Sequence, residues 1–206
     1  MLVTIATVPT ATLKIIPDAI KEFRARGHAA RIRISDLSAN EVLKAVEAGE
    51  VDFGINIIGE NDPALDFQTL CDDAFILVMH PDDPQAAFQE IAWQDIDQSR
   101  FVAVWRGSGN RILIESGLAR AKQKIDWAYE VRHLSTALAL AEAGIGITAL
   151  PQSAIADKSH AGVVTRPLIN PVISRKMGTI RRADHELSAE AKIFIGIVHE
   201  SSSSAI

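Results

Sequence analysis

Along the first sixty residues, short apolar runs alternate with stretches in which apolar residues recur every three or four positions. Leu2 to Thr7 is a β-branched run that stops at Val8-Pro9-Thr10. Beyond it Leu13, Ile16, Ile20 and Phe23 fall at helical spacing, and Gly27 ends the pattern. Pro17 has no amide hydrogen, so this helix either bends there or begins just before it. Arg31-Ile32-Arg33-Ile34 alternates as a strand with one wet face does, which suits an edge strand or one that meets a partner chain. Ser38-Ala39-Asn40-Glu41 is a capping box, Val42, Leu43 and Val46 supply an apolar stripe, and Gly49 stops the helix. Val51 to Ile58, interrupted only by Asp52, Gly54 and Asn56, fits a central strand covered on both faces. Strand and helix in alternation imply right-handed crossovers in a largely parallel sheet.

The plan then repeats. Phe75 to Met79 reads as a strand, followed by the connector His80-Pro81-Asp82-Asp83-Pro84. Phe101 to Trp105 is a second apolar strand that leads through Gly107-Ser108-Gly109-Asn110 into a helix carrying Ile112, Leu113 and Leu118. Tyr129 to Val131 precedes a helix from about Ser135 to Ala143, with Gly144 as its left-handed cap, and Ile145 to Leu150 is another strand. Ser174 to Ile180 reads as a strand, and Ser188 caps a last helix with Ile193, Phe194, Ile197 and Val198 on its apolar face. Two α/β units of similar plan, joined near Met79 and again near Pro171, suggest two lobes. Ligands of open α/β sheets sit beyond the carboxyl ends of the strands, and two such ends facing each other would make a cleft.

Charge narrows the function classes. A formal net charge of −5 over 206 residues argues against a chain that grips phosphate backbones, and the short clusters Arg181-Arg182 and Arg31 with Arg33 suit solvated strand faces. The single cysteine, Cys71, has no internal disulfide partner and reads as a small buried hydrophobe in a reducing compartment. The start Met1-Leu2-Val3-Thr4-Ile5 lacks the features of a signal peptide, and no apolar run approaches the roughly 20 residues of a membrane helix. A soluble cytoplasmic protein with no membrane partner is expected. The tail Ser201 to Ser204 is expected to fray.

The chemistry-bearing residues form a binder's inventory. The six histidines, His28, His80, His133, His160, His185 and His199, are scattered, with no i, i+4 pair on one helix, so no metal is expected. No Gly-x-Ser-x-Gly turn is present, and Asp72-Asp73 and Asp82-Asp83 fall in turn-like segments that read as solvated loops. Gly107-Ser108-Gly109-Asn110-Arg111 joins a strand to a helix, and its amides suit one wall of an anion pocket or a plain helix-starting turn. It lacks the lysine of a P-loop and the third glycine of a dinucleotide fingerprint, and no cofactor is expected. Thr7, Thr10 and Thr12 at the first strand-to-helix turn suit a helix cap or a binding role. His133, Ser135 and Thr136 occupy the corresponding place in the second half. Hydroxyls and free amides at helix starts, with no acid, base or nucleophile among them, point to a small carboxylate effector.

Three segments carry a family resemblance: Leu13 to Phe23 as Leu-Lys-Ile-Ile-Pro-Asp-Ala-Ile-Lys-Glu-Phe, Val46 to Ile55 as Val-Glu-Ala-Gly-Glu-Val-Asp-Phe-Gly-Ile, and Leu140 to Pro151 as Leu-Ala-Glu-Ala-Gly-Ile-Gly-Ile-Thr-Ala-Leu-Pro. In this order and spacing they resemble the effector-binding region of LysR-type transcriptional regulators, over nearly the whole chain. The resemblance implies an α/β fold like that of the type 2 periplasmic binding proteins, two-lobed, each lobe a mostly parallel sheet flanked by helices. Residues 1–76 and 172–206 would form the first lobe and 77–171 the second, with a small-molecule effector between them. Residue-by-residue matching makes Thr10 the leading ligand contact, with Thr7, Asn56 or Ile57, and Ser135 behind it. Pro9 in the Thr10 turn, together with Ser108, His133 and Thr136, completes the expected ligand-binding set. Regulators of this family begin with a winged helix-turn-helix and a linker helix, which these residues do not include. DNA binding, and dimerisation through that helix, would belong to a parent protein acting as a homodimer or tetramer.

Two other functions share the bilobal plan. One is a stand-alone solute-binding protein of a transporter, against which the absent export signal counts. The other is an enzyme such as prephenate dehydratase, of whose Thr-Arg-Phe motif Thr165-Arg166-Pro167 keeps two positions. Fold alone does not decide between them.

Overall fold

The computed structural model describes residues 1–59, 62–155 and 162–203. In chain order the elements are β1 (Leu2–Thr7), α1 (Pro9–Thr12), α2 (Ile15–Ala25), β2 (Arg31–Asp36), α3 (Ala39–Glu47) and β3 (Phe53–Asn56). There follow β4 (Leu65–Met79), β5 (Ile91–Ala92), β6 (Phe101–Val104), α4 (Gly109–Arg120), β7 (Tyr129–Val131) and α5 (Leu134–Glu142). The chain ends with β8 (Ile147–Pro151), β9 (Val164–Ile169), β10 (Ser174–Arg182) and α6 (Ala189–Ser203). It divides into two compact units, Met1–Asp72 with Lys176–Ile206, and Asp73–Arg175, so the boundaries fall inside β4 and β10.

In the first unit the strand order is β2-β1-β3-β10-β4. β1 runs parallel to both β2 and β3, as the alternation of strand and helix requires, and β10 returns antiparallel to β3. Parallel strands need a crossover, and α2 and α3 supply it. α2 begins two residues before Pro17, which therefore loses no helical hydrogen bond, and Gly27 follows it at φ +85°. Leu13 lies outside α2 and is 53% exposed, so the buried stripe starts at Ile16. The expected capping box closes the start of α3: the Ser38 amide donates to the Glu41 carboxylate at 2.9 Å. Phe23, Phe53 and Phe194 meet in the core, Phe23 and Phe194 edge-on at 5.2 Å, and burying each contributes about 1.5–3 kcal/mol over leaving it exposed. The buried face of α6 is Ala191, Phe194, Ile197 and Val198, whereas Ile193 is exposed. The helix runs on through Ser201 to Ser203, and the buried Ser202 hydroxyl donates to the Val198 carbonyl; Ser204 lies outside the described residues.

In the second unit β4 lies between β9 and β8, both antiparallel to it. β8 is parallel to β6, β6 to β7, and β5 to β9. α4 turns Ile114 and Leu118 inward and leaves Ile112 52% exposed, contrary to the expected stripe. Its inward face carries Asn110 and Arg111 in the first turn, so the polar end of the helix is buried as well. β4 is much longer than the expected Phe75 to Met79. Asp72 and Asp73, read above as part of a solvated turn, lie inside it, and Asp73 is only 4% exposed. The Arg175 guanidinium, 2.8 Å away, offsets the cost of burying that carboxylate.

Candidate ligand-binding turns

In the first unit Thr7 stands opposite Ile55 and Asp36, so the carboxyl ends of β2, β1 and β3 emerge side by side. The Val8 amide donates to the Ile55 carbonyl at 3.1 Å, and Pro9 opens α1, where a missing amide hydrogen is harmless. Thr7, Pro9, Thr10, Asn56 and Ile57 are thereby gathered at one strand edge. Their chemistry differs. Thr7 is buried and donates its hydroxyl to the Val8 carbonyl at 3.2 Å. Asn56 is fully buried; its Nδ2 donates to the Ala39 carbonyl at 3.0 Å and its Oδ1 accepts the Ile57 amide at 2.9 Å. It thus ties the end of β3 to the start of α3. Thr10 is buried on α1, Pro9 is exposed and Ile57 half-buried. Thr12 closes the turn by donating to the Pro9 carbonyl at 2.6 Å. Beside Thr7, burial pushes the Asp36 carboxyl above the usual carboxylate range.

The second unit repeats this arrangement. Val104 and Val131 are paired at the ends of the parallel strands β6 and β7, and the Trp105 amide donates to the Val131 carbonyl at 2.8 Å. α4 starts after Ser108 and α5 after His133, so Ser108, His133, Ser135 and Thr136 share this edge. The Ser108 carbonyl accepts the Ile112 amide at 3.1 Å, and the His133 carbonyl accepts the Thr136 and Ala137 amides at 3.1 and 3.2 Å. His133, Ser135 and Thr136 are exposed, and Ser108 is half-buried. The first amides of each helix have no intrahelical acceptor and carry the positive end of the helix dipole.

Two residues at this edge escaped the sequence reading. The Arg132 guanidinium lies over the Trp105 ring, 5.2 Å from its centroid, and Trp105 is 41% exposed. The indole also packs on the chain at Gly107, where an added Cβ would fall 2.1 Å from ring carbon Cη2. A side chain at position 107 would displace the indole. The signal was a tryptophan ending a strand two residues before a glycine, with an arginine just ahead of a helix cap. Hydrophobic patterning counts such a tryptophan as core.

Arg166, Arg181 and Lys192 are occupied. Arg166 donates to the Ala86, Phe88 and Thr165 carbonyls, so it anchors the turn before β5 and keeps no fork for a substrate. An open cavity of about 550 Å³ in the first unit is lined by Arg181, Asp184, His185, Glu186, Lys192 and Ile195 among others. Its arginine and lysine are paired with Asp66 and Glu186, and none of the expected residues lines it; convergent strand ends are the better guide to a ligand. Among the described residues no group of three or more His, Cys, Asp or Glu side chains is arranged to hold a metal ion, and no helix is long and apolar enough to cross a membrane; His160 lies outside these residues.

Residues 2–203 match the family described as the LysR substrate binding domain. The uncharacterized HTH-type transcriptional regulator YbhD of Escherichia coli K12 is 40% identical over 197 residues, which cover 96% of this chain and 62% of that protein. YfeR of Shigella flexneri, with the same description, is 28% identical, over 96% of this chain and 64% of its own length. The chain therefore spans somewhat under two thirds of these relatives. Among solved structures, the effector-binding domain of QuiR in complex with shikimate superposes with a TM-score of 0.86 at 18% identity, covering 99% of this chain and 98% of that one. The Synechocystis CcmR regulatory domain in complex with 2-PG gives 0.86 at 17% identity, covering 98% and 97%. Both share the fold.

Proposed function

Because the chain belongs to the LysR substrate-binding domain family, we propose that it is the ligand-sensing part of a longer DNA-binding regulator and that its effector is a small organic acid. The carrying observation is the edge formed by β6 and β7. Two helix N-termini, the Arg132 guanidinium, His133 and the exposed hydroxyls of Ser135 and Thr136 converge there. Backbone amides at a helix start suit an anion, and an arginine held on an aromatic face adds a fixed positive charge. The Trp105 indole gives the same edge an apolar surface for the body of the ligand. The Thr10 turn of the first unit, with a hydroxyl of its own, is a second candidate by itself.

None of these groups is set as a nucleophile or as an acid and base pair, so the domain binds its effector without turning it over. In the parent protein this binding sets the strength of DNA binding and hence transcription, in the cytoplasm where such regulators meet DNA. The regulator descriptions of YbhD and YfeR favour this over a transporter's solute-binding protein.

Calorimetric titration with shikimate, 2-PG and benzoate tests the reading. At least one acid should bind while its amide or alcohol analogue does not. Arg132→Ala should weaken binding and Thr10→Val should weaken it roughly ten- to a hundredfold, the loss of about 1.5–3 kcal/mol for a hydrogen bond to a charged group. Wild-type affinity for the acid in either variant would remove that variant's turn from ligand binding.

A further inference from the structure

Arg175 is buried at the end of the second unit, on β10, with its side chain 1% exposed. Its Nε donates to Asp73 Oδ2 at 2.9 Å, its Nη2 to Ser153 Oγ at 3.1 Å and its Nη1 to Asn110 Oδ1 at 2.7 Å. Ser153 closes the cluster by donating its amide to Asp73 Oδ1 at 2.9 Å and its hydroxyl to Asp73 Oδ2 at 2.6 Å. One guanidinium therefore fastens four segments: β4, β10, the 3₁₀ turn Gln152–Ile155 and the first turn of α4. Two of these, β4 and β10, are the strands on which the chain passes from one unit to the other.

Burying an ion pair gains little stability over apolar packing, because desolvation cancels most of the attraction. The value of this cluster lies in the arrangement it imposes. A guanidinium has five donors in a rigid plane and no acceptor, so Asn110 must present its oxygen to Arg175. Asn110 is two residues beyond Ser108 in the turn assigned above to the effector. A lysine would keep the charge and lose the fork.

We infer that Arg175 is a positioning residue that locks the first turn of α4 to β4 and β10, so that an effector displacing this turn acts on both crossing strands. The second half of this inference rests on the effector reading of the α4 turn. The lock itself is a property of the ligand-free chain and is tested without effector.

The experiment is residue-resolved amide hydrogen exchange on the 206-residue chain, comparing wild type, Arg175→Lys, Arg175→Met and Asn110→Ala. In Arg175→Lys, exchange should rise about tenfold or more at the Ser153 amide and at the amides of Ile112 to Glu115, while β1, β3 and α2 stay at wild-type rates. Asn110→Ala, which cuts only the turn from the fork, should raise exchange at Ile112 to Glu115 and, to a smaller extent, at Ser153. If Arg175→Met does not fold, the other two variants carry the test. Wild-type rates at Ile112 to Glu115 in Arg175→Lys, or a uniform rise across the chain, would overturn the lock. An unchanged Ser153 amide in Asn110→Ala would overturn the coupling between the turn and the strands. Failure of every acid to bind would leave these exchange patterns standing and sink only the effector reading.

Discussion

Asp73 shows at the residue scale what holds a buried carboxylate in place. Asp73 accepts from an arginine, a hydroxyl and an amide, so removing it leaves the Arg175 guanidinium charged, dry and short of its main partner. Asp73→Ala is expected to cost about 3–5 kcal/mol, read as a lower urea midpoint for the second unit. A change under about 1 kcal/mol would mean that water reaches the cluster. His199 offers a pH test. Its ring lies 2.9 Å from the Thr179 hydroxyl, and burial lowers its pKa below 6.5, with the Asp66 charge opposing. The unfolded chain then takes up a proton more readily than the folded one. Stability contributed by the neutral ring is complete well above pH 6.5 and is lost as pH falls through that value towards the folded pKa. His199→Gln should therefore flatten the fall in thermal midpoint between about pH 7 and 5. A fall as steep as the wild type's would assign the acid sensitivity to other groups.

At the scale of elements, the sequence announced most of the regular structure, and the exceptions have physical causes. Capped helices such as α3, and runs such as β1 and β3, carry their own signals: a box at one end, a glycine at the other, apolar residues between. β4 did not, because its first half, Leu65-Asp-Phe-Gln-Thr-Leu-Cys-Asp-Asp, mixes charge with apolar residues, and only a distant arginine makes Asp73 tolerable there. α4 misled for the related reason that its buried face begins with Asn110 and Arg111. Of the ligand turns, the hydroxyls and helix starts were legible. The contact of Arg132 with Trp105 depends on β6 and β7 being neighbours, which no local pattern states. The edge strand was legible too: β2 pairs only with β1 among the described strands, and Ile34, opposite Ile5 of β1, stays 39% exposed. An open, partly apolar edge invites pairing, so we expect the chain to self-associate through it. Sedimentation should show a dimer that Ile34→Lys converts to monomer. A wild-type chain that stays monomeric at high micromolar concentration would contradict this.

For the whole molecule, membership in the LysR substrate-binding domain family and the inventory of strand-end turns lead to one account. In the proposed account a small acid binds at the starts of the helices, and DNA is contacted by residues outside this chain. The net charge of −5 agrees, since a chain that grips phosphate backbones carries a basic face. The most direct test is chemical-shift mapping on the ¹⁵N-labelled chain, titrated first with the tightest-binding acid and then with double-stranded DNA. The account predicts that the acid moves the amide resonances of Ser108 to Arg111 and Ser135 to Thr136, and that DNA moves none. Shifts gathered instead around Arg181 to Leu187 and Lys192, or a response to DNA in the absence of the acid, would contradict it.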